Sequence, residues 1–257
     1  MPSRPSGPAP FVGRTEELVA LHDAFEAASD GLVVTLISGE PGVGKTSLAR
    51  VFAQDLRSQG TPVRWGSCTE VGGAPAFWPW VQVVRSFGAS AITSAIADLD
   101  SRSEEPFAAY DAVHDVLRNH AEQTNVIVLD DLHCADLASL DLLRFLVTTA
   151  ADLPLLIVGI HRLCELRADP ARDVALAAIA RGARRITPSD LGVDEIRSLL
   201  DPALPSDVAA AVLARAAGNA LYVEQLVDAV WRDGPAALEH IPDGIRAAVR
   251  ARVEPLP

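Results

Sequence analysis

The chain alternates short apolar, β-branched runs with longer segments of helical period. Residues 32–37, 125–129 and 153–160 are almost continuously apolar, the pattern of parallel strands buried on both faces. Residues 62–66 and 183–187 read as two further strands. Between them, residues 46–59 carry Leu48, Val51, Phe52 and Leu56 on one helical stripe. Pro106 opens a helix over 107–120 with Phe107, Tyr110, Val113 and Leu117 aligned, and Asp136 caps another bearing Leu137, Leu140, Leu143 and Leu146. Thr15 reads as an N-cap with Glu16 and Glu17 in the first turn, followed by Leu18, Leu21, His22 and Phe25 on one side. Residues 72–80 form a Gly-, Pro- and aromatic-rich loop before a helix at 81–87, and its Trp78 and Trp80 either contact a partner or plug a satellite core. This alternation predicts a three-layer α/β/α domain on a five-stranded parallel sheet. After Pro188 the strands stop. Helices read at 193–200, 206–216, 220–232 and 243–253, a small all-helical unit that the break at Thr187-Pro188 would make a lid. The predicted organisation is a flexible tail 1–10, an α/β domain 11–187, a helical lid 188–240, and a truncated segment 241–257.

Chemistry enters after the first apolar run. Gly39-Glu40-Pro41-Gly42-Val43-Gly44-Lys45-Thr46 is the G-x-x-x-x-G-K-[ST] phosphate-binding (Walker A) pattern, set between a strand and a helix as that chemistry requires. The glycines let backbone N–H groups turn toward phosphate oxygens, and the following helix adds its positive end. The candidate cradle therefore runs from Gly39 to Ser47. Lys45 is expected to reach the β- and γ-phosphates and Thr46 to ligate Mg²⁺. Lys45 is the only lysine in the chain. A compact ammonium suits this cradle where a planar guanidinium does not.

The second apolar run ends in Asp130 and Asp131, at the strand edge where open α/β sheets bind ligands. This is a Walker B pattern: Asp130 for Mg²⁺, Asp131 to orient or deprotonate the attacking water. Asp131 is one methylene shorter than a glutamate, so slow hydrolysis is expected. His133 and Cys134 follow and read as structural. His161-Arg162 closes the third run. Arg162 is the candidate sensor of a γ-phosphate, with a solvated loop arginine as the other reading. Residues 11–14 form an entry segment that lies over a nucleotide base or merely leads into a surface helix. Gly218-Asn219-Ala220 opens a lid helix that aims N–H groups or an apolar side chain at the base, or is a plain helix stop.

Composition narrows the partners. A formal net charge of −12 argues against this segment gripping a nucleic-acid backbone by itself. Cys68, Cys134 and Cys164 are far apart with no C-x-x-C pair, so zinc is not expected, reduced thiols are the default, and the expected compartment is the cytoplasm. The tail has no signal-like apolar core, and no run is long enough for a membrane span.

These landmarks together resemble the ATPase module of the signal-transduction ATPases with numerous domains (STAND), most of all that of the large ATP-binding LuxR-type regulators. The stretches that carry the likeness are Phe11-Val12-Gly13-Arg14, the Walker A loop, Ala74-Pro75-Ala76-Phe77-Trp78-Pro79-Trp80, Val128-Leu129-Asp130-Asp131-Leu132-His133 and Gly218-Asn219-Ala220-Leu221-Tyr222-Val223-Glu224. The resemblance implies a P-loop NTPase domain with AAA+-like strand order, a helical lid, and the start of a winged-helix domain from about Ile241. It implies that Val12, Gly13 and Arg14 lie near the base or ribose and that Arg162 is the sensor-1 arginine. Two positions depart from the family: Ala220 stands where a Pro is usual, and Cys134 where Trp is frequent. The expected function is an ATP/ADP- and Mg²⁺-dependent switch that self-associates with ATP and hydrolyses slowly, with sensor and DNA-binding domains outside this chain. The alternatives are a ring-forming motor, with Arg167, Arg172, Arg181, Arg184 or Arg185 as finger, and a small-molecule phosphotransferase. A GTPase is disfavoured because its [NT]-K-x-D motif needs a second lysine.

Overall fold

A computed structural model describes residues 11–69, 75–89, 106–162, 170–200 and 202–239. The expected tail, Cys164, Arg167, the helix at 243–253 and the segment from Ile241 lie outside the described residues.

Five strands form one parallel sheet: β1 (Val33–Gly39), β2 (Val63–Ser67), β3 (Asn125–Asp130), β4 (Leu155–Arg162) and β5 (Arg184–Ile186). Their order is β2-β3-β4-β1-β5. The three-layer α/β/α fold is thus the one expected. β3 is buried at every position and β4 at all but its last residue. Helices on both faces explain why these strands read as continuous apolar runs rather than alternating ones.

Successive side chains serve opposite layers. Val34, Leu36, Ile127, Leu129 and Ile157 join one core with α3 (Trp78–Ser86), α4 (Pro106–Arg118), α5 (Leu137–Thr149) and α6 (Pro170–Ala180). Ile37, Val126, Val128, Leu156 and Val158 join the other with α1 (Thr15–Ala27) and α2 (Lys45–Ser58). Helix α2 buries Leu48, Ala49, Phe52, Ala53 and Leu56 against it, a stripe of spacing three and four. The lid helices α7 (Val193–Leu199), α8 (Ser206–Ala216) and α9 (Ala220–Asp233) enclose a third core built on Val212, Val223 and Leu226.

Several local expectations shift. Arg14, in the left-handed region, is the N-cap of α1; Thr15 is its first helical residue, and no side chain caps that end. Helix α3 starts at Trp78, earlier than expected, with Pro79 in its first turn where a missing N–H costs nothing. Trp80 is fully buried and its indole donates to the Ser139 carbonyl at 3.0 Å, while Trp78 packs partly buried on the same core. Both therefore pack in the main core on this face of the sheet rather than in a satellite core. Strand β4 runs on through His161 and Arg162, so neither is in a loop.

Candidate functional site

Register sets the site. Ser38 pairs with His161 and Gly39 with Arg162, while Ser67 pairs with Asp130. The carboxyl ends of β1, β3 and β4 therefore meet at one rim, the edge where doubly wound sheets bind ligands. A cavity of about 220 Å³ opens there, lined by Pro41, Gly42, Gly44, Lys45, Thr46, Ser47, Asp131 and Arg162 from the α/β domain and by Ala220, Leu221 and Glu224 from the lid.

Helix α2 begins at Lys45, directly after Gly44 at φ 96°, so its N-terminal N–H groups face this rim. The loop's carbonyls are held one after another, those of Gly39 and Glu40 by the cavity-lining Lys45 and those of Pro41, Gly42 and Val43 by the helical unit and Arg14. The Lys45 ammonium donates to the carbonyls of Gly39 and Glu40, both at 2.8 Å. The Asn219 side-chain amide donates to Pro41 O at 3.0 Å, and the Leu221 N–H to Gly42 O at 3.4 Å. The Arg14 guanidinium donates to Val43 O at 3.0 Å and pairs with Glu17 at 3.2 Å. Fixing the carbonyls favours an inward set of N–H groups, the arrangement that binds anions. Gly42, at φ 80°, is also closely covered: a Cβ there would come within 2.6 Å of Asn219 Oδ1 and 2.7 Å of Leu221 Cβ.

The acidic pair sits across the cavity. Thr46 Oγ1 donates to Asp130 Oδ1 at 3.1 Å, which also accepts the Asp131 N–H at 3.1 Å. Burial and the neighbouring Asp131 charge raise the Asp130 pKa from the usual carboxylate range, against the two hydrogen bonds and Arg50. A carboxylate oxygen 3.1 Å from a hydroxyl is a donor pair suited to a hard divalent cation, and one or two carboxylates plus phosphates suffice for Mg²⁺. Thr46 and Asp130 thus fit the metal expected of them. Asp131 adopts φ 56°, uncommon for a residue other than glycine, and this turn leaves its side chain half-exposed at the cavity wall.

The sequence-predicted residues divide as follows. Lys45, Thr46, Ser47, Asp131, Arg162 and Ala220 line one cavity with Pro41, Gly42 and Gly44 of the loop, and Asp130 adjoins it through Thr46. Gly39 and Glu40 reach the cavity only through their carbonyls on Lys45, and the Val43 carbonyl faces Arg14 outside the lining. Val12 packs on the lid core, and Gly13, at φ 65°, lies against Glu195 of α7. Arg14 spends its guanidinium on the loop backbone. The entry segment 12–14 thus bridges the helical unit and the phosphate loop. Sequence reasoning gave no role to Asn219's side chain, Leu221 or Glu224. All three stand in the stretch Gly218–Glu224 that carries the family likeness, and helical spacing puts Glu224 one turn from Ala220. His133 is buried with its Nδ1 4.0 Å from Asp131 Oδ1, and among the described residues no His/Cys/Asp/Glu group could hold a metal on its own.

A family model described as "AAA ATPase domain" matches residues 10–158. Solved structures with the same fold include an Aeropyrum pernix ORC2 protein (ADPNP-ADP complexes; 12% identity, TM-score 0.59, 99% of this chain and 72% of that one). Others are Cdc6p from Pyrobaculum aerophilum (20%, 0.56, 96% and 69%) and Thermotoga maritima RuvB T158V (18%, 0.53, 94% and 69%). No curated protein shows a significant match. Among the described residues no helix is long and apolar enough to cross a membrane.

Proposed function

The chain belongs to the AAA ATPase domain family, and on that premise we propose that it works as a nucleotide-operated conformational switch: ADP favours a docked lid, ATP an undocked and self-associating form, and slow hydrolysis returns one to the other. The observation that carries this reading is the shared cavity, in which the lid touches the loop that would hold the phosphates, through Asn219 and Leu221. A lid bonded to that loop must respond to whatever moves it. A ligand shifts such an equilibrium only through different affinities for the two states.

In this reading Lys45 leaves its two carbonyls for the β- and γ-phosphates, and its flexible stem permits the move. Thr46 and Asp130 would hold a divalent metal ion, which when bound would supply charge neutralisation for the phosphates. Asp131 orients the attacking water and accepts its proton. Arg162, at the end of the strand beside the phosphate-loop strand, senses the γ-phosphate. The shorter Asp131 carboxylate keeps turnover low. The resemblance to STAND modules and LuxR-type regulators supports placing this switch within a cytoplasmic regulator whose sensor and DNA-binding parts lie on other segments.

The test is mass analysis of nucleotide extracted from the purified protein, together with its solution mass in ADP and in a non-hydrolysable ATP analogue. Co-purified ADP and a larger mass in the analogue alone support the switch. The same mass in both, or unaided turnover of tens per second, overturns it.

A further inference from the structure

The cavity wall contains a charge with no part in the scheme above. Glu224 lies one turn into α9, below Ala220, and both line the cavity together with Leu221. Residues four apart on a helix share a face, so the placement of Ala220 fixes that of Glu224. The first turn of α9 is itself pinned to the phosphate loop, by Asn219 on Pro41 O at 3.0 Å and Leu221 N–H on Gly42 O at 3.4 Å. The docked lid therefore brings a carboxylate to a pocket otherwise built to attract phosphate. Among the described residues the other charged side chains lining the cavity are Lys45, Arg162 and Asp131, with Asp130 adjoining through Thr46.

We infer that Glu224 is a specificity-determining residue that makes the docked lid prefer a nucleoside diphosphate over the triphosphate. The inference rests on the switch reading and supplies the differential affinity which that reading needs. The triphosphate carries additional negative charge at the end of its phosphate chain, on the side of the pocket bounded by Asp131 and Arg162. A lid carboxylate repels that charge, while the diphosphate places none there. Binding of the triphosphate then favours lid positions that carry Glu224 away. For unit charges roughly 8 Å apart, between the dielectric of water and that of a protein surface, the effect is about twofold to thirtyfold in affinity.

The test is calorimetric titration of the full chain with Mg²⁺-ADP and with Mg²⁺ and the β,γ-methylene analogue of ATP. Wild type is compared with Glu224→Gln, Glu224→Ala and Glu224→Asp. The site is exposed and helical, so both neutral variants suit the fold. Both should tighten the analogue about fivefold and leave ADP within about twofold, and Glu224→Asp should keep the wild-type ratio. An unchanged analogue-to-ADP ratio in both neutral variants overturns the inference alone. So does a weakened analogue, which would mean that Glu224 assists the triphosphate–metal unit. Wild type that binds neither nucleotide overturns this inference and the switch reading together.

Discussion

The contact between lid and phosphate loop turns on one side chain with two jobs. Asn219 caps α9 by accepting the Tyr222 N–H at 3.3 Å and latches the lid by donating its amide to Pro41 O at 3.0 Å. It is 9% exposed. Two substitutions separate the jobs. Alanine removes both. Aspartate keeps a cap acceptor and loses the donor. An N-cap contributes about 0.5–2 kcal/mol, and the long 3.3 Å bond points to the lower end of that range. A buried hydrogen bond contributes about 1 kcal/mol, more where the remaining carbonyl is shut away from water. We therefore expect Asn219→Ala to destabilise the lid by about 2 kcal/mol and Asn219→Asp by about 1 kcal/mol. The assay is hydrogen exchange followed by mass spectrometry, which reads protection of α8 and α9 separately from that of the sheet. Both variants should lose protection in the lid, and also at residues 40–43 of the loop, with little change in β3 and β4. Wild-type protection of the loop in Asn219→Asp would refute the latch. Loss spread evenly over the whole chain would show that lid and sheet unfold as one unit and would refute the separation argued here.

Three further outcomes follow from the same geometry. Lys45→Ala should weaken ATP and ADP at least about 100-fold, since hydrogen bonds to charged groups contribute about 1.5–3 kcal/mol each, while its circular dichroism spectrum stays native; retained tight binding by calorimetry would refute the phosphate site. Asp131→Asn should bind nucleotide normally and lose residual hydrolysis by about 100-fold or more, read by phosphate release, and undiminished release removes Asp131 from the mechanism. Burial lowers the His161 pKa below its ordinary 6.5, with His133, Lys45 and Arg185 adding to the effect against a bond to the Arg162 carbonyl. The unfolded chain then takes up that proton first, so the contribution of this group is intact above about pH 6.5 and is lost as pH falls toward the folded value. The melting temperature of wild type should fall more steeply between pH 7 and 5 than that of His161→Asn, and equal slopes would exclude His161 as the source.

The parts of this molecule legible in the sequence are those whose cause is local. Buried parallel strands must be apolar on both faces, so β1, β3 and β4 announce themselves as runs. The phosphate loop needs glycines at fixed spacing because only they take the φ values its turn demands, as Gly42 and Gly44 do. Asp136 at a helix start predicts its own bond to the Ser139 N–H, found at 2.9 Å. Boundaries slipped where tertiary pairing overrides local preference. Residues 161 and 162 are polar and read as the tip that follows the apolar run 153–160, yet pairing with Ser38 and Gly39 makes them part of β4. Arg162 is thus the last residue of the strand itself and lines the cavity from there. What could not be read was which backbone groups the lid would meet. Asn219 and Pro41 lie 178 positions apart, and an asparagine at a helix start is fully explained by capping alone. Its second partner exists because loop carbonyls require donors from elsewhere. Lys45 can supply two and Arg14 one, which leaves Pro41 and Gly42 to the lid. The lid contact thus follows from the need of every loop carbonyl for a donor: those that Lys45 and Arg14 do not reach are met by two bonds from the start of α9.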